Sequence, residues 1–169
     1  MKIRVLFAAM MLLVSVTGVS TLAWAWPGPP FRVVGEVQTP TTFDLSKLQS
    51  LPVTNQNVTY FASGSVVSQT FTGALLWDVL SSVGIILNPN IKNDILTKII
   101  IVTGSDGYQA VFGAGEIAPN FGGDQIMVAY EVNGQPLGSA GLARIVAPGD
   151  KQGGRFVSSI VKIEVKTAP

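Results

Sequence analysis

The segment FTGALLWDVL, residues 71–80, predicts a β-strand that turns directly into an α-helix. Val66–Thr72 contains several β-branched residues and predicts the strand, which Gly73 is expected to end. Gly84 is a typical C-terminal stop for the helix. The helix itself is indicated by one apolar stripe at helical spacing, formed by Leu75, Leu76, Val79, Leu80 and Val83.

Strand patterns dominate the chain on both sides of this segment. Lys98–Gly104 contains a β-branched run and predicts a buried strand, which the turn signal Asp106-Gly107 connects to Tyr108–Phe112. Asn133-Gly134 is the strongest two-residue hairpin signal in the sequence. The other predicted strands are Phe31–Val37, Asn57–Ala62, Gln125–Val132, Leu142–Val146 and Ser158–Lys166, with Val161, Ile163 and Val165 facing the core in the last one.

Helical patterns are few. Besides the helix that follows Gly73, a short helix is expected over Leu45–Leu51 behind an Asp44 cap, and Gly115–Phe121 is expected to be irregular or a single turn. The predicted fold class is therefore α+β, with β-rich mixed sheets, one clear helix and short helices.

The N-terminus has the pattern of a cleaved secretory signal peptide over residues 1–25. Lys2 and Arg4 precede an uncharged run that closes on Ala23-Trp24-Ala25, an A-x-A type cleavage site. An uncleaved membrane anchor is the alternative, because the run approaches the length that spans a bilayer. We expect export to the periplasm or the extracellular space, a Pro-rich leader at residues 26–30, and one domain over residues 31–169.

Composition excludes several function classes. The chain has no histidine and no cysteine, which rules out Ser-His-Asp and Cys-His catalysis and zinc sites built on imidazole or thiolate. Without Lys2 and Arg4, nine basic residues face ten acidic ones, and no basic stripe occurs. Neither nucleic acid nor an anionic membrane surface is therefore an expected partner after cleavage.

Two polar loops could hold a ligand. Gly149–Arg155 places Lys151 and Arg155 among glycines, where backbone N–H groups and a guanidinium can hold an anion. The alternative for this loop is a flexible turn with solvated cations. The hairpin tip with Ser105, Asp106 and Tyr108 is the second candidate, and a tight turn that needs glycine is its alternative.

Several motifs together resemble the molybdopterin-binding oxidoreductase domains of the sulfite oxidase type. Residues 71–80 are similar to their strand-to-helix segment, and residues 129–137 (AYEVNGQPL) resemble their hairpin. Residues 102–108 (VTGSDGY), 144–149 (RIVAPG) and 155–165 follow in the family's order. The resemblance implies a molybdopterin cofactor whose molybdenum is bound by a cysteine thiolate, in a turn that matches residues 62–65 here.

This chain departs from that pattern at the metal ligand. Ala62 stands at the position of the cysteine, no histidine is present, and Ser158-Ser159 replaces a Lys-Trp pair of the family. Molybdenum chemistry of the family type is therefore not expected, and neither catalytic nor metal-binding residues are predicted. The candidate binding residues are Ala62, Ser63, Ser65, Ser105, Asp106, Tyr108, Arg144, Lys151 and Arg155.

Three functions stay open. The first is an exported module that binds a small anionic ligand or an envelope protein and carries no cofactor. The second is a molybdopterin-dependent oxidoreductase that uses Ser63, Ser65 or Asp106 as an oxygen ligand, with the pterin phosphate on the Gly149–Arg155 loop. The third is a purely structural or interaction module. A pocket lined by Ala62, Tyr108 and Arg155 would favour a ligand, and a large apolar surface patch would favour a protein partner.

Overall fold

The computed structural model describes residues 28–169. The predicted signal segment 1–25 and the start of the leader lie outside these residues. The strands are β1 (Phe31–Gly35), β2 (Thr41–Phe43), β3 (Thr54–Ala62), β4 (Ser65–Leu75), β5 (Lys98–Gly104), β6 (Gln109–Gly113), β7 (Met127–Val132), β8 (Gln135–Pro136), β9 (Arg144–Val146) and β10 (Ile160–Thr167). The helices are α1 (Leu45–Gln49), α2 (Leu76–Val83) and α3 (Ala114–Ile117), with 3-10 turns at Asp94–Thr97, Gly138–Ala140 and Gly153–Arg155.

Two sheets share one core. The first sheet has the order β2-β1-β10-β5-β6, and the second has the order β3-β4-β7-β8 with β9 also paired to β7. β1 runs parallel to β10, whereas the other pairs are antiparallel, so the first sheet is mixed. The α+β class with mixed sheets is confirmed.

The strand predicted to end at Gly73 continues through it to Leu75. A register shift between Thr72 and Gly73 marks a β-bulge against β7. A Cβ atom at Gly73 would collide with the backbone of Val128 and Ala129. Glycine therefore permits a close approach of β4 to β7 here and does not terminate the strand.

Helix α2 follows β4 without a loop. Leu75 is its extended N-cap, and Gly84 ends it with φ of 70°, as the sequence predicts. The buried side chains are Leu76, Val79, Leu80 and Val83, which are the predicted stripe without Leu75. Within residues 28–169 no helix reaches the length and apolarity that a membrane crossing requires.

Several element boundaries differ from the sequence prediction. β1 ends at Gly35 and not at Val37, because the positive φ of Gly35, 89°, turns the chain out of the strand direction. The short strand β2 has no counterpart in the sequence prediction. β2 pairs with β1 antiparallel, and the rings of Phe31 and Phe43 stack with centroids 5.4 Å apart. In β10 a bulge between Ile160 and Lys162 shifts the buried face to Ile160, Ile163 and Val165, so Val161 is only half-buried.

An ion-pair network joins three neighbouring strands of the first sheet, β1, β10 and β5, at one end of each strand. Nζ of Lys98 lies 2.8 Å from Glu36 and 3.1 Å from Asp94, and Lys98 and Asp94 are almost fully buried. Hydrogen bonds from Lys98 and Thr167 lower the pKa of Glu36. The hydrogen bond from the Asn88 N–H lowers the pKa of Asp94 most, and hydrogen bonds from Lys98 and Thr97 lower it further. Together they outweigh burial, which would raise this pKa. The pKa of Lys98 is raised, mainly by its hydrogen bond to Glu36.

Candidate functional site

Three of the predicted segments meet around residues 149–155, here called the 149–155 loop. The N–H of Phe61, at the end of β3, donates to the Lys151 carbonyl at 2.9 Å. The Tyr108 hydroxyl donates to the Gly154 carbonyl at 2.6 Å. A Cβ atom placed at Gly153 would lie 3.8 Å from Cβ of Ala62, so Ala62 also borders this loop. The fold therefore brings Ala62, Tyr108 and the loop together.

Ser63 and Ser65 lie at the tip of the β3–β4 hairpin and are exposed. Ser63 and Gly64 have φ of 50° and 83°, which is typical of a tight two-residue hairpin turn. The Ser65 hydroxyl donates weakly to the Ala62 carbonyl at 3.4 Å. The two hydroxyls therefore face solvent at the edge of the site.

In the second polar loop, which carries Ser105, Asp106 and Tyr108, polar groups form hydrogen bonds within the fold. Oδ1 of Asp106 accepts from the Tyr108 N–H at 2.9 Å, and the Ser105 N–H donates to the Ser159 carbonyl at 2.9 Å. Ser105 and Asp106 are exposed. Of this loop, only Tyr108 reaches the 149–155 loop through a hydrogen bond.

Arg155 is held by two carboxylates. It makes a bidentate pair with Asp150 at 2.8 and 2.6 Å, and its Nη1 lies 2.9 Å from Oε1 of Glu116. Its guanidinium also stacks on the Phe112 ring, 4.7 Å from the centroid. The hydrogen bonds to Asp150, and then to Glu116, raise the pKa of Arg155 against the effect of burial. An anionic ligand would have to displace these carboxylates to reach the guanidinium.

A cavity of about 260 Å³ lies beside this cluster. Its lining is formed by Asp124, Gln125, Ile126, Pro148, Gly149, Asp150 and Arg155. Of the predicted site residues it contains Arg155, but neither Ala62 nor Tyr108. Two carboxylates and one guanidinium line it, so its wall does not carry the excess positive charge that an anion site needs.

Sequence reasoning missed Glu116, Asp124 and Gln125. Glu116 lies in α3, where its Oε2 accepts from the Gly113 N–H at 3.1 Å, and Gln125 is held by the Gln56 amide at 2.9 Å. Asp124 and Gln125 lie in an irregular stretch before β7, and the distant side chains that Glu116 and Gln125 contact, Arg155 and Gln56, are 39 and 69 residues away in the sequence. No local pattern identifies them.

Arg144 has a different environment from Arg155. It lies on β9 opposite Ala129, and its guanidinium carbon is 6.0 Å from the Phe71 ring centroid and 5.6 Å from that of Phe156. Among the buried side-chain nitrogens and oxygens of residues 28–169, its Nε alone has no hydrogen-bond partner. Lys151, the third predicted cation, is exposed.

The residues present do not fit a thiolate-bound molybdenum. Ala62 ends β3 beside Gly153, where the resemblance implies the metal ligand, and a methyl group cannot coordinate a metal. The nearby Ser63 and Ser65 hydroxyls face solvent on the hairpin tip. Within residues 28–169 no group of three or more acidic side chains is placed to hold a metal ion.

Comparison with known proteins finds one matching family and a similar solved structure. The model of the family described as "Oxidoreductase molybdopterin binding domain" matches residues 24–169. The chain is similar in structure to the sulfane dehydrogenase SoxCD from Paracoccus pantotrophus, with a TM-score of 0.66 and 19% sequence identity. That likeness covers 80% of this chain and 37% of the other, so this chain spans little more than a third of it. No curated protein matches the sequence.

Proposed function

Since this chain belongs to the family of oxidoreductase molybdopterin-binding domains and yet has no cysteine, we propose that it is an exported module that binds a small anionic ligand and carries out no molybdenum redox chemistry. One observation carries this proposal: the position that matches the family's metal ligand is Ala62, at the end of β3 and beside Gly153. Without a thiolate, the chain lacks the soft ligand that molybdenum requires there.

The charges of the 149–155 loop support the absence of a bound pterin phosphate, although they do not themselves form an anion site. Arg155 was the predicted anchor for a phosphate, but Asp150 and Glu116 already occupy its donors. Bringing a dianionic phosphate beside these two carboxylates would be repulsive unless they moved or became protonated. The alternative function, a molybdopterin enzyme with an oxygen ligand from Ser63, Ser65 or Asp106, gains no support from this arrangement.

The metal and pterin content of the purified protein tests the proposal. The protein is purified from its native envelope, and molybdenum, tungsten and pterin fluorescence are measured beside an established molybdopterin enzyme treated in the same way. We expect no metal or pterin above background in the sample. Near-stoichiometric molybdenum and pterin would overturn the proposal and restore the oxidoreductase alternative.

Export is tested separately by the N-terminus of the protein recovered from the envelope or the medium. Cleavage after Ala25 would leave Trp26 as the first residue. An intact Met1 in membrane-bound protein would instead establish the anchor alternative. A protein found only in the cytoplasm would contradict export altogether.

A protein partner in the envelope is the other form of binding to consider. Exposed apolar side chains do occur, among them Phe61 and Val66 at the β3–β4 hairpin tip. Nothing in the described residues indicates what would cover them, so the small ligand is preferred.

A further inference from the structure

Strand β3 is the longest outer strand among residues 28–169. It lies at the edge of the second sheet and has nine residues, with no proline, no glycine and no register shift against β4. The other outer strands are shorter: β2 and β9 have three residues each, β8 has two and includes Pro136, and β6 has five. Soluble proteins usually protect a long flat edge, because its unpaired backbone groups are a template for another strand.

Backbone hydrogen bonds show which groups of β3 face outward. At the end of the strand the Phe61 N–H donates to the Lys151 carbonyl at 2.9 Å, on the side away from β4. Inward and outward backbone groups alternate along an antiparallel strand, so every second residue before Phe61 also has its N–H and C=O outward. Because Lys151 already occupies Phe61, the free stretch of the edge consists of Asn55, Asn57 and Thr59.

Thr70 gives the same assignment from the other side of the pair. It lies opposite Asn57 on β4, its N–H donates to Oδ1 of Asn133 at 3.0 Å, and its carbonyl accepts from the Asn133 N–H at 2.7 Å. Since both backbone groups of Thr70 are turned toward Asn133, the N–H and C=O of Asn57 point away from β4. Within residues 28–169 no strand lies beyond β3 to receive them.

The composition of this edge does not oppose pairing. Residues 48–77 contain no Asp, Glu, Lys or Arg, so β3 and β4 lack the charges that usually keep edge strands apart. The exposed amides are already ordered, because the Thr72 hydroxyl donates to Oδ1 of Asn55 at 2.7 Å and the Ser68 hydroxyl donates to Oδ1 of Asn57 at 3.0 Å. Side chains that are ordered beforehand lose little conformational entropy when a further strand is added.

We propose that β3 pairs with β3 of a second copy of this chain, antiparallel about a two-fold axis at Asn57, so that the second sheets of both copies join into one. This inference goes beyond the proposed function and does not depend on it. About this axis Asn57 faces Asn57 of the second copy, and Asn55 faces Thr59 of the second copy. Each pair exchanges both of its backbone hydrogen bonds, so every outward group of the free stretch finds a partner.

The two ends of the free stretch favour a second copy over a long foreign strand. At one end the Lys151 carbonyl blocks the ladder at Phe61, and at the other end β3 begins at Thr54. In the symmetric pair Thr54 of one copy lies opposite Tyr60 of the other, so each strand leaves the ladder before it reaches the Lys151 segment. A longer foreign strand would have to displace that segment to continue its pairing. The stretch is also centred on Asn57, as a two-fold axis requires.

Disulfide trapping tests this pairing directly, because the chain has no cysteine of its own. Asn57→Cys places one thiol per copy at the axis, where the two Cα atoms would be about 5.5 Å apart, within the range of a disulfide. Thr70→Cys is the matched control, since Thr70 is exposed opposite Asn57 but one strand further from the axis. Its two Cα atoms would be about 15 Å apart, too far for a disulfide. After oxidation of the mature protein, non-reducing electrophoresis should show most of the Asn57→Cys chains and few of the Thr70→Cys chains as covalent dimer.

Sedimentation equilibrium measures the same association without a cross-link. The ladder is short, so we expect a reversible dimer of the mature protein with a dissociation constant of about 1–100 μM. Asn57→Pro removes an outward N–H and no bond to β4, and it should weaken the dimer about tenfold or more. Asn57→Lys places two like charges at the axis and should do the same. Thr70→Lys adds the same charge further from the axis and should change the dissociation constant less than about threefold.

Three results would overturn the inference: wild-type protein that stays monomeric at about 1 mM, equal trapping of Asn57→Cys and Thr70→Cys, or equal effects of Asn57→Lys and Thr70→Lys on the dissociation constant. If Asn57→Pro fails to fold, Asn57→Lys replaces it, because lysine keeps the backbone N–H. A dimer that persists in both Asn57 variants would have its interface elsewhere and would overturn the inference as well.

Discussion

At the scale of single residues, two arginines of the same chain have opposite environments. Arg155 uses its guanidinium to hold Asp150 and Glu116, which lie in different segments. Arg144 makes no such contact and lies between Phe71 and Phe156. The first therefore joins separate segments through ion pairs, whereas the second has no carboxylate partner within residues 28–169.

Replacing Arg155 with methionine should destabilise the protein. The change leaves Asp150 and Glu116 without their cation, and we expect a loss of about 1–2 kcal/mol in the free energy of unfolding, a value reduced because the Arg155 side chain is 35% exposed. Urea unfolding measures the effect. Lys151→Met in the same loop is the matched control and should be nearly neutral, and an equal loss in both variants would contradict a structural role for Arg155.

At the scale of secondary-structure elements, the long strand β4 and helix α2 depend on the close approach at Gly73. β4 passes β7 with its backbone against Val128 and Ala129, and the bulge at Thr72/Gly73 sets the register of the following residues. The buried face of α2 is therefore positioned by this contact between two backbones.

Gly73→Ala should be strongly destabilising for this reason. The added Cβ atom would collide with the backbone of β7, and a loss of about 2–3 kcal/mol is expected. Gly149→Ala is the matched control, since no atom lies within 4 Å of a Cβ at that position. Thermal unfolding compares the two variants, and similar melting temperatures would contradict the role of close packing at Gly73.

The network around Lys98 ties together elements that are distant in the sequence. Lys98 begins β5, Asp94 lies in the preceding 3-10 turn, Glu36 follows β1, and Thr167 ends β10. Both carboxylate oxygens of Glu36 accept from the Thr167 hydroxyl, at 3.0 and 2.9 Å. This network closes the first sheet where the parallel pair β1–β10 meets β5.

Lys98→Met should lower the melting temperature by roughly 10 °C, because it leaves the buried Asp94 without its cation. The control Lys162→Met removes a cation that is 40% exposed and paired with Glu164, so it should shift the melting temperature by less than about 3 °C. Equal shifts of the melting temperature in the two variants, measured by differential scanning calorimetry, would contradict a larger contribution of the buried Lys98–Asp94 pair to stability.

At the scale of the whole molecule, the fold and the family follow from the same order of motifs. The two sheets, the helix after β4 and the β7–β8 hairpin appear in the order that the resemblance to sulfite-oxidase-type domains implies, and the family membership confirms that resemblance. Within this framework the chain has no cysteine that could bind molybdenum as a thiolate.

The stability of the molecule should fall in acid. The pKa values of Glu36 and Asp94 are lowered in the folded state, so the stability that they contribute is present above their ordinary values of 4.5 and 3.8 and is lost as the pH falls through the folded values. We expect the urea midpoint to be constant between about pH 5 and 7 and to decrease below about pH 4. Lys98→Met should show a shallower decrease, and an identical pH profile would contradict the contribution of this network.

Much of the fold could be predicted from the sequence because it depends on local patterns. The β-branched run of β5, the alternating pattern of β10, the apolar stripe of α2 with its Gly84 stop, and the Asn133-Gly134 turn all act within a few residues. The turn is confirmed by φ of 51° and 71° at Asn133 and Gly134. Short or edge elements such as β2 were missed because pairing with β1, rather than local preference, holds them in place.

The candidate site could be predicted only in part. The absence of cysteine and histidine, and with it the loss of the thiolate ligand, is a property of the sequence by itself, since no fold can supply a missing side chain. Which cations are free is decided only by the tertiary structure. Glu116 reaches Arg155 across 39 residues, and Phe71 reaches Arg144 from another strand of the second sheet, so the partners of each guanidinium depend on contacts that no local pattern records.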